Sequence, residues 1–165
     1  MRAATPDDAE AIAAIYAHHV LHGTATFDTE PPTAELWLGK IGALAKRGWP
    51  FLVAEVAGHV AGYAYATQFR DRAAYARTCE NSIYVSPDMT GRGIGTELIA
   101  ALLEAAAVHG FREMIAVIGG GEPASVALHT RAGFRHAGRM ERVGEKFGRL
   151  LDTVYMQRSL TLSRA

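Results

Sequence analysis

The sequence feature with the clearest chemical use is a run of alternate glycines that follows a predicted strand ending at Val85. The glycines are Gly91, Gly93 and Gly95, and a helix is predicted to begin among them. Without side chains they let an anion approach the main chain, and the first N–H groups of a helix have no partner inside it. Arg92 adds a positive charge. The turn therefore predicts a site for a pyrophosphate group.

Two common nucleotide-binding motifs do not fit this turn. The dinucleotide fingerprint G-x-G-x-x-G would need a glycine where the chain has Thr96. It also belongs at the first strand of a doubly wound unit, whereas this turn follows a predicted meander. A P-loop needs a Lys-Ser/Thr pair, which the turn lacks. The alternative to an anion site is a flexible joint between strand and helix.

Glu80 is the carboxylate on the strand that precedes the turn. Alternation divides the residues of that strand between two faces, with Glu80, Ser82 and Tyr84 on one and Asn81, Ile83 and Val85 on the other. A carboxylate can take a proton from an ammonium group, directly or through water, if it lies close to it. The residues alone fit a simpler role as well, an exposed ion pair with Arg70 or Arg77.

The loop before this strand is rich in arginine. Arg70, Arg72 and Arg77 flank Tyr75. A guanidinium can bind a carboxylate or a phosphinate through two hydrogen bonds, and a tyrosine hydroxyl can add one more. The alternative is that the arginines only keep an exposed loop soluble. A cationic ligand would need an acidic pocket, which this loop does not offer.

The remaining nucleophilic and metal-ligating residue types form no recognisable constellation. Cys79 is the only cysteine, and spacing assigns it no His or Asp partner, so an acyl-cysteine is disfavoured. His18 and His19 are adjacent and would point about 100° apart on a helix, away from a shared ligand face. We expect no metal ion.

Length and composition set the frame for these residues. The 165 residues suit one domain, and 49% of them are hydrophobic. Seventeen basic residues balance seventeen acidic ones, so the basic excess of a nucleic-acid-binding protein is absent. No apolar run has the roughly 18–20 residues that span a bilayer. A single cysteine and an acidic N-terminal segment favour a cytoplasmic protein.

Helical and strand periods alternate along the chain. A first helix is predicted to begin at Thr5–Asp8 with an apolar face of Ala9, Ile12, Ala13, Tyr16 and Val20. Thr33 is predicted to cap a second helix that ends near Gly48. Its predicted apolar stripe consists of Leu36, Ile41 and Leu44. Strands are predicted at 51–56, 60–69 and 80–85, with a turn at 57–59 and a bulge at Gly62.

The second half continues the alternation. A helix is predicted from the glycine turn to Gly110, followed by a strand at 114–118, a helix at 123–132 and final strands that end with 153–160. The order is two helices, a three-stranded meander, then helix, strand, helix and final strands. It predicts an α/β domain with a mixed sheet.

The turn Thr90-Gly91-Arg92-Gly93-Ile94-Gly95 resembles the Q/R-x-x-G-x-G/A motif of the GCN5-related N-acetyltransferase (GNAT) superfamily, in which it binds the pyrophosphate of CoA. Further segments are similar to the branch of that family that acetylates phosphinothricin and methionine sulfoximine. These are 26–33, 72–75, 79–85, 116–119, Leu128-His129 and Gly133-Phe134. The resemblance covers nearly the whole chain.

This resemblance implies a single GNAT domain over residues 1–165, with a mixed, mostly antiparallel sheet flanked by about four helices. It implies acetyl-CoA as acetyl donor, a small-molecule amine as acceptor, no metal, and a homodimer. The implied reaction is direct transfer in a ternary complex to the α-amine of an amino acid analogue such as phosphinothricin, methionine sulfoximine or methionine sulfone. The alternatives are another amine (a polyamine, an antibiotic or a protein N-terminus) and a non-catalytic acyl-CoA-binding module.

The resemblance also assigns residues. Glu80 is implied as the base, and His129 lies where many acetyltransferases have a tyrosine near the CoA sulfur, although it could equally be a packed core residue. The acceptor is assigned to Phe27, Arg72 and Tyr75. Acetyl-CoA is assigned to Ile83, Tyr84, Val85, Gly91, Arg92, Gly93, Ile94, Gly95, Thr96, Glu122 and Ser125. Main chain at 83–85 is implied to pair with the pantetheine arm and to polarise the thioester carbonyl.

Three positions depart from the family pattern. Thr90 stands where Gln or Arg is usual, which removes a side-chain phosphate contact but leaves the main-chain site. Glu122 stands where many relatives have Asn at the start of the fourth helix; its carboxylate could cap the helix but would not favour a phosphate. Leu150 stands where the branch often has Trp, near the substrate pocket and the dimer contacts.

Overall fold

The computed structural model describes residues 1–160, and among these seven strands form one sheet with four helices packed on its two faces. The strands are β1 (Arg2–Ala3), β2 (Phe51–Val56), β3 (His59–Gln68), β4 (Thr78–Val85), β5 (Glu113–Gly119), β6 (Arg135–Lys146) and β7 (Arg149–Ser159). The helices are α1 (Ala9–His22), α2 (Ala34–Arg47), α3 (Ile94–His109) and α4 (Pro123–Arg131). The predicted mixed, mostly antiparallel α/β architecture is confirmed.

The sheet order is β1-β2-β3-β4-β5-β7-β6, and β4–β5 is the one parallel pair that these residues form. That pair is short. It runs from Thr78 opposite Glu113 to Asn81 opposite Ala116, although β4 continues to Val85 and β5 to Gly119. The two strands therefore separate beyond Asn81, and the sheet is split at its centre.

Alternation along β3 explains how helices cover both faces of the sheet. Tyr63 and Tyr65 pack in the cluster formed with α1 and α2, whereas Ala64 and Ala66 face the cluster formed with α3. The large aromatic rings fill the space under two helices. The small alanines allow α3 to lie close to the sheet.

The β2–β3 hairpin turn lies where it was predicted, at 57–59, but only Ala57 and Gly58 form it, because His59 already belongs to β3. Ala57 and Gly58 both have positive φ, 51° and 81°, as the turns that match strand twist require. The predicted bulge is also present beside Gly62, because the pairing shifts register between Ala54 and Glu55.

The apolar stripe predicted for α2 was wrong at one position. Leu36 is 64% exposed, and the buried residue is its neighbour Trp37. Trp37, Ile41 and Leu44 follow a four-then-three spacing, so they share one face of the helix. Since Leu36 precedes Trp37 directly, it points about 100° away from that face.

The last strand was also predicted too short, since β7 begins at Arg149 and not at 153. It pairs with β6, for which the sequence analysis set no bounds. Most of β6 is exposed and half of its residues are charged, so it lacks the alternation of apolar residues that marks a half-buried strand. Within residues 1–160, no helix is long and apolar enough to cross a membrane.

Gly62 provides a test of the central packing. A Cβ at this position would lie 2.9 Å from the carbonyl oxygen of Tyr84 and 3.1 Å from Cδ1 of the fully buried Leu98. We expect Gly62→Ala to lower the free energy of unfolding by about 1–3 kcal/mol, because neither neighbour can move freely. Urea denaturation measures this change.

The matched control is Gly42→Ala in α2, where a Cβ would meet nothing within 4 Å. Alanine favours a helix more than glycine does, so this variant should gain up to about 1 kcal/mol. A Gly62→Ala protein as stable as the wild type would contradict the close approach between β3, β4 and α3.

Candidate active site

The split between β4 and β5 opens a pocket of about 280 Å³, which we call the slot. The separated strand ends line it, at 80–84 on β4 and 116–119 on β5, together with loop residues 25–27. Each strand is paired on its outer side, β4 with β3 and β5 with β7. Main-chain groups on the inner sides therefore lack a strand partner, and they can pair with an extended ligand.

One main-chain group in the predicted ligand-binding segment is already in use. Nε2 of His19 on α1 lies 2.9 Å from the carbonyl oxygen of Val85, and because a carbonyl only accepts, Nε2 donates. Ile83 and Tyr84 line the pocket, whereas Val85 does not. Of the three residues predicted to pair with the ligand through their main chain, Ile83 and Tyr84 therefore line the slot, whereas the carbonyl of Val85 is hydrogen-bonded to α1.

The glycine turn continues from the end of β4. Gly91 and Gly93 have positive φ, 75° and 84°, a conformation in which side chains are strained. Gly93 is the N-cap of α3, and no side chain caps the helix, so its first N–H groups remain available. Arg92 and Thr96 are exposed beside this helix end. The arrangement suits a phosphate group.

Two neighbours of the turn have structural roles. The Thr90 hydroxyl donates to the carbonyl oxygen of Pro87 at 3.1 Å, so it closes the preceding turn. At Gly95 a Cβ would lie 3.5 Å from Leu128, which shows that α3 passes close to α4. Ile94 is buried in the core beneath the helix end.

Glu80 lies in the slot pocket with its side chain 32% exposed. Burial raises the pKa of Glu80, while the positive charges of Arg70 and Lys40 act to lower it. Arg70 Nη1 lies 3.9 Å from the Glu80 carboxylate, which is too long for a hydrogen bond. Glu80 is therefore a partly desolvated carboxylate that binds a proton more strongly than an ordinary glutamate.

His129 lies across the slot and is only 2% exposed. Its Nδ1 is 2.8 Å from the carbonyl oxygen of Ser125, and its Nε2 is 3.0 Å from Oδ1 of Asn81. Burial lowers the pKa of His129, whereas the hydrogen bond to Ser125 raises it. Both ring nitrogens are engaged by protein atoms, with the Ser125 hydroxyl also 3.4 Å from Nδ1.

Asn81 joins three elements at the point where the strands separate. Its Nδ2 donates to the carbonyl oxygen of Ile115 on β5, and its other amide atom contacts His129 on α4. Sequence reasoning did not assign it a role. The available signal was a polar residue on a strand face otherwise formed by Cys79, Ile83 and Val85, because a buried amide needs partners.

The residues predicted for the acceptor are not all in one place. Phe27 lines the slot pocket, and its ring lies against Gly119 and Gly144. Arg72 and Tyr75 lie in the β3–β4 loop, where Tyr75 is 39% exposed and packs edge-on against Phe69. Neither residue lines the slot pocket.

Two further expectations concern Cys79 and Glu122. Burial raises the pKa of the Cys79 thiol to about 12, so the thiol stays protonated, which agrees with the expectation that no acyl-cysteine forms.

Glu122 is the N-cap of α4, but its side chain makes no capping hydrogen bond. The capping role considered for it is therefore not observed.

Four residues of this region were not identified from the sequence. They are Tyr16, Thr26, Lys40 and Tyr65, and they come from α1, the following loop, α2 and β3. The Tyr16 hydroxyl lies 2.7 Å from the hydroxyl of Thr26, and Lys40 Nζ donates to the Tyr65 hydroxyl at 2.7 Å. No short motif contains these pairs, since Lys40 and Tyr65 lie on elements that are separated along the chain, and Tyr16 meets Thr26 only because the loop folds back on α1.

Comparison with known proteins agrees with this geometry. A family model described as an acetyltransferase (GNAT) domain matches residues 1–155. The chain is 45% identical over 161 residues to a phosphinothricin N-acetyltransferase of Alcaligenes faecalis, covering 97% of this chain and 82% of that protein. It is 40% identical to an L-methionine sulfoximine/L-methionine sulfone acetyltransferase of Pseudomonas paraeruginosa, covering 96% and 92%.

A solved structure gives the same result at the level of the fold. The crystal structure of a GNAT superfamily phosphinothricin acetyltransferase from Sinorhizobium meliloti, in complex with acetyl-CoA, matches with a TM-score of 0.94 and 44% identity. The match covers 96% of this chain and 86% of that one. The family resemblance predicted from the sequence is thereby confirmed. With its split sheet and glycine turn, this chain belongs to the GNAT family of N-acetyltransferases.

Proposed function

We propose that this protein transfers an acetyl group from acetyl-CoA to the α-amine of a small amino acid analogue of the phosphinothricin or methionine sulfoximine type. The observation that carries the proposal is a partly buried carboxylate, Glu80, beside a main-chain slot that leads to a glycine-rich helix N-terminus. The named relatives act on acceptors of this type.

The site supports direct transfer. Acetyl-CoA supplies an activated thioester when it is bound, and Gly91, Gly93 and the N-terminus of α3 suit its pyrophosphate. Glu80 accepts a proton from the acceptor ammonium, so that the amine nitrogen can form its bond to the acetyl carbon as the carbon–sulfur bond breaks. Inner main-chain N–H groups of β4 donate to the thioester oxygen.

The departing sulfur needs a proton, and the His129–Ser125 pair is the candidate source. His129 has no ring nitrogen free to face the slot directly, because both are engaged by protein atoms. The Ser125 hydroxyl lies within 3.4 Å of Nδ1 and lines the same pocket. We therefore assign proton delivery to the Ser125 hydroxyl, which gives its proton to the thiolate sulfur and receives one from Nδ1 of protonated His129.

Arg72 and Tyr75 remain the proposed ligands of the acceptor carboxylate. They lie in the loop that leads into β4, only a few residues before Glu80. A polyamine acceptor would meet the positive charges of Arg70 and Arg72 in this loop, which favours an anionic amino acid analogue. A non-catalytic binding module would have no use for a desolvated carboxylate in the slot.

The homodimer and the domain limits 1–165 also stay predictions. Exposed apolar side chains on the β6–β7 hairpin form a surface that a second copy could bury, namely Met140, Val143, Phe147 and Leu150. The departure at Leu150 lies on this surface.

The first test is release of free thiol from acetyl-CoA with a panel of amines. We expect turnover with phosphinothricin, methionine sulfoximine and methionine sulfone, and little with a polyamine or an N-terminal peptide, because the charges around the slot favour anionic acceptors. Turnover of the polyamine or peptide alone would contradict the proposed substrate class. No turnover with any amine would support the binding-module alternative.

Glu80→Gln tests the base. Glutamine keeps the shape but cannot accept the proton, so kcat should fall by about 10²–10⁴-fold while acetyl-CoA affinity, measured by calorimetry, is unchanged. The pKa of Glu80 is raised, and the base acts only when it is deprotonated. As the pH is lowered, wild-type kcat/KM should therefore begin to fall at a pH above the pKa of an ordinary glutamate. Glu104→Gln on the exposed face of α3 is the control. Unchanged turnover in Glu80→Gln would exclude this residue as base.

Arg72→Ala tests the acceptor carboxylate. Loss of a charged hydrogen-bond donor should raise KM for the amine about 10-fold or more and leave KM for acetyl-CoA nearly unchanged. Steady-state kinetics with each substrate varied in turn measures both constants. Arg77→Ala, from the same loop, is the control, since Arg77 lines a separate pocket with Arg112 and Glu113. Equal effects of the two variants would argue against a specific role for Arg72.

A further inference from the structure

A second pocket adjoins the slot on the face covered by α1 and α2. Its volume is about 220 Å³, and its walls include Tyr16, Trp37, Lys40 and Tyr65. Tyr16 and Tyr65 also line the slot pocket, so the two spaces are neighbours that share two aromatic side chains. Glu80 lines the slot and not this second pocket. A ligand that extends from the slot into the second pocket therefore passes Tyr16 and Tyr65, which line both.

Lys40 provides a positioned positive charge in this second pocket. Its Nζ donates to the Tyr65 hydroxyl at 2.7 Å and lies 4.3 Å and 4.9 Å from the ring centroids of Tyr65 and Trp37. An ammonium has three N–H donors, so two remain for a ligand. Within residues 1–160, no carboxylate lies within 4 Å of Lys40. The positive charge of Lys40 also acts on Glu80, where it lowers the pKa of the carboxyl group.

The pocket also contains one carboxylate, Asp28, but this group is engaged elsewhere. The Tyr16 hydroxyl donates to Asp28 Oδ2 at 2.7 Å. Asp28 also acts to raise the pKa of Lys146, a buried ammonium whose Nζ donates to the carbonyl oxygen of Thr26. Asp28 thus has a hydrogen-bond partner in Tyr16, whereas among residues 1–160 no carboxylate lies within 4 Å of the Lys40 ammonium. The second pocket therefore favours an anion at Lys40.

We propose that Lys40, held by Tyr65, binds the anionic side-chain group of the acceptor, as in a phosphinate. The inference rests on the proposed function, since it assumes that the acceptor amine is at Glu80. The α-carboxylate shares a carbon atom with that amine and therefore stays near the slot. Only the far end of an extended side chain reaches past Tyr65 to Lys40. Lys40 is on this view a specificity-determining residue for anionic side chains.

Two acceptors of nearly equal shape test the proposal. Phosphinothricin carries a methylphosphinate, which is anionic, and methionine sulfone carries a methylsulfone, which is neutral. Lys40→Met keeps the apolar stem against Trp37 and Tyr65 but removes the charge. We expect KM for phosphinothricin to rise about 10- to 100-fold, the effect of losing a charge-assisted hydrogen bond, and KM for methionine sulfone to change little. KM for acetyl-CoA should not change.

Lys46→Met is the matched control, because Lys46 is an exposed residue of the same helix outside the pocket. Lys40→Arg should restore part of the selectivity for the anionic acceptor. Equal rises in KM for both acceptors would place Lys40 at the shared α-carboxylate and overturn the proposal. An unchanged KM for phosphinothricin would overturn it as well.

A binding measurement separates this inference from the proposed function. Calorimetry with phosphinothricin on the Glu80→Gln protein, with and without Lys40→Met, requires no turnover. Weaker binding on loss of Lys40 would support the pocket even if the wild type fails to acetylate phosphinothricin, in which case only the proposed reaction fails. Equal binding by the two proteins would overturn the role of Lys40 whether or not the wild type is active.

Discussion

The site depends on a parallel strand pair that is formed over only part of its length. β4 and β5 pair from Thr78 to Asn81 and then separate, while β3 and β7 hold their outer edges. Exposed main-chain groups at a sheet centre are costly unless they find partners. The separation therefore provides a fixed slot of donors and acceptors for an extended ligand. Asn81 marks its closed end, because its side chain bridges β4, β5 and α4.

Charge is distributed around this slot in a way that suits acyl transfer. The helix N-terminus at Gly93 provides an anion site at one end. Glu80 faces the side of α1 and α2, where the positive charges of Arg70 and Lys40 limit the rise of its pKa. His129 faces the opposite side, where burial lowers its pKa and the hydrogen bond to Ser125 raises it. The proposed base Glu80 and the candidate proton source at His129 therefore lie on opposite faces of β4. Alternation along the strand permits this, because Glu80 points to one face and its neighbour Asn81, which contacts His129, points to the other.

Aromatic side chains pack closely in the wall between the two pockets. Tyr16 contacts Tyr84 and Trp37 edge-on, and Tyr63 and Tyr65 stack nearly parallel on β3. Edge-on and offset contacts of this kind add to the burial of large apolar surfaces. Among the described residues, Trp37 Nε1 and the Tyr63 hydroxyl are buried without a hydrogen-bond partner. The wall thus positions Tyr65, and through it Lys40, at the cost of two unpaired polar atoms.

The sequence by itself determined the order of elements, the glycine turn, the two faces of β4 and the family, because each of these is encoded locally. Positive φ at Gly91 and Gly93, or alternation around Glu80, needs only neighbouring residues. It did not determine the exposed strand β6, since charged residues carry no burial signal. The pairing of Lys40 with Tyr65 and of His129 with Asn81 was decided by the tertiary structure. Each pair joins side chains from different elements, and their distance is set by how helices pack on the sheet.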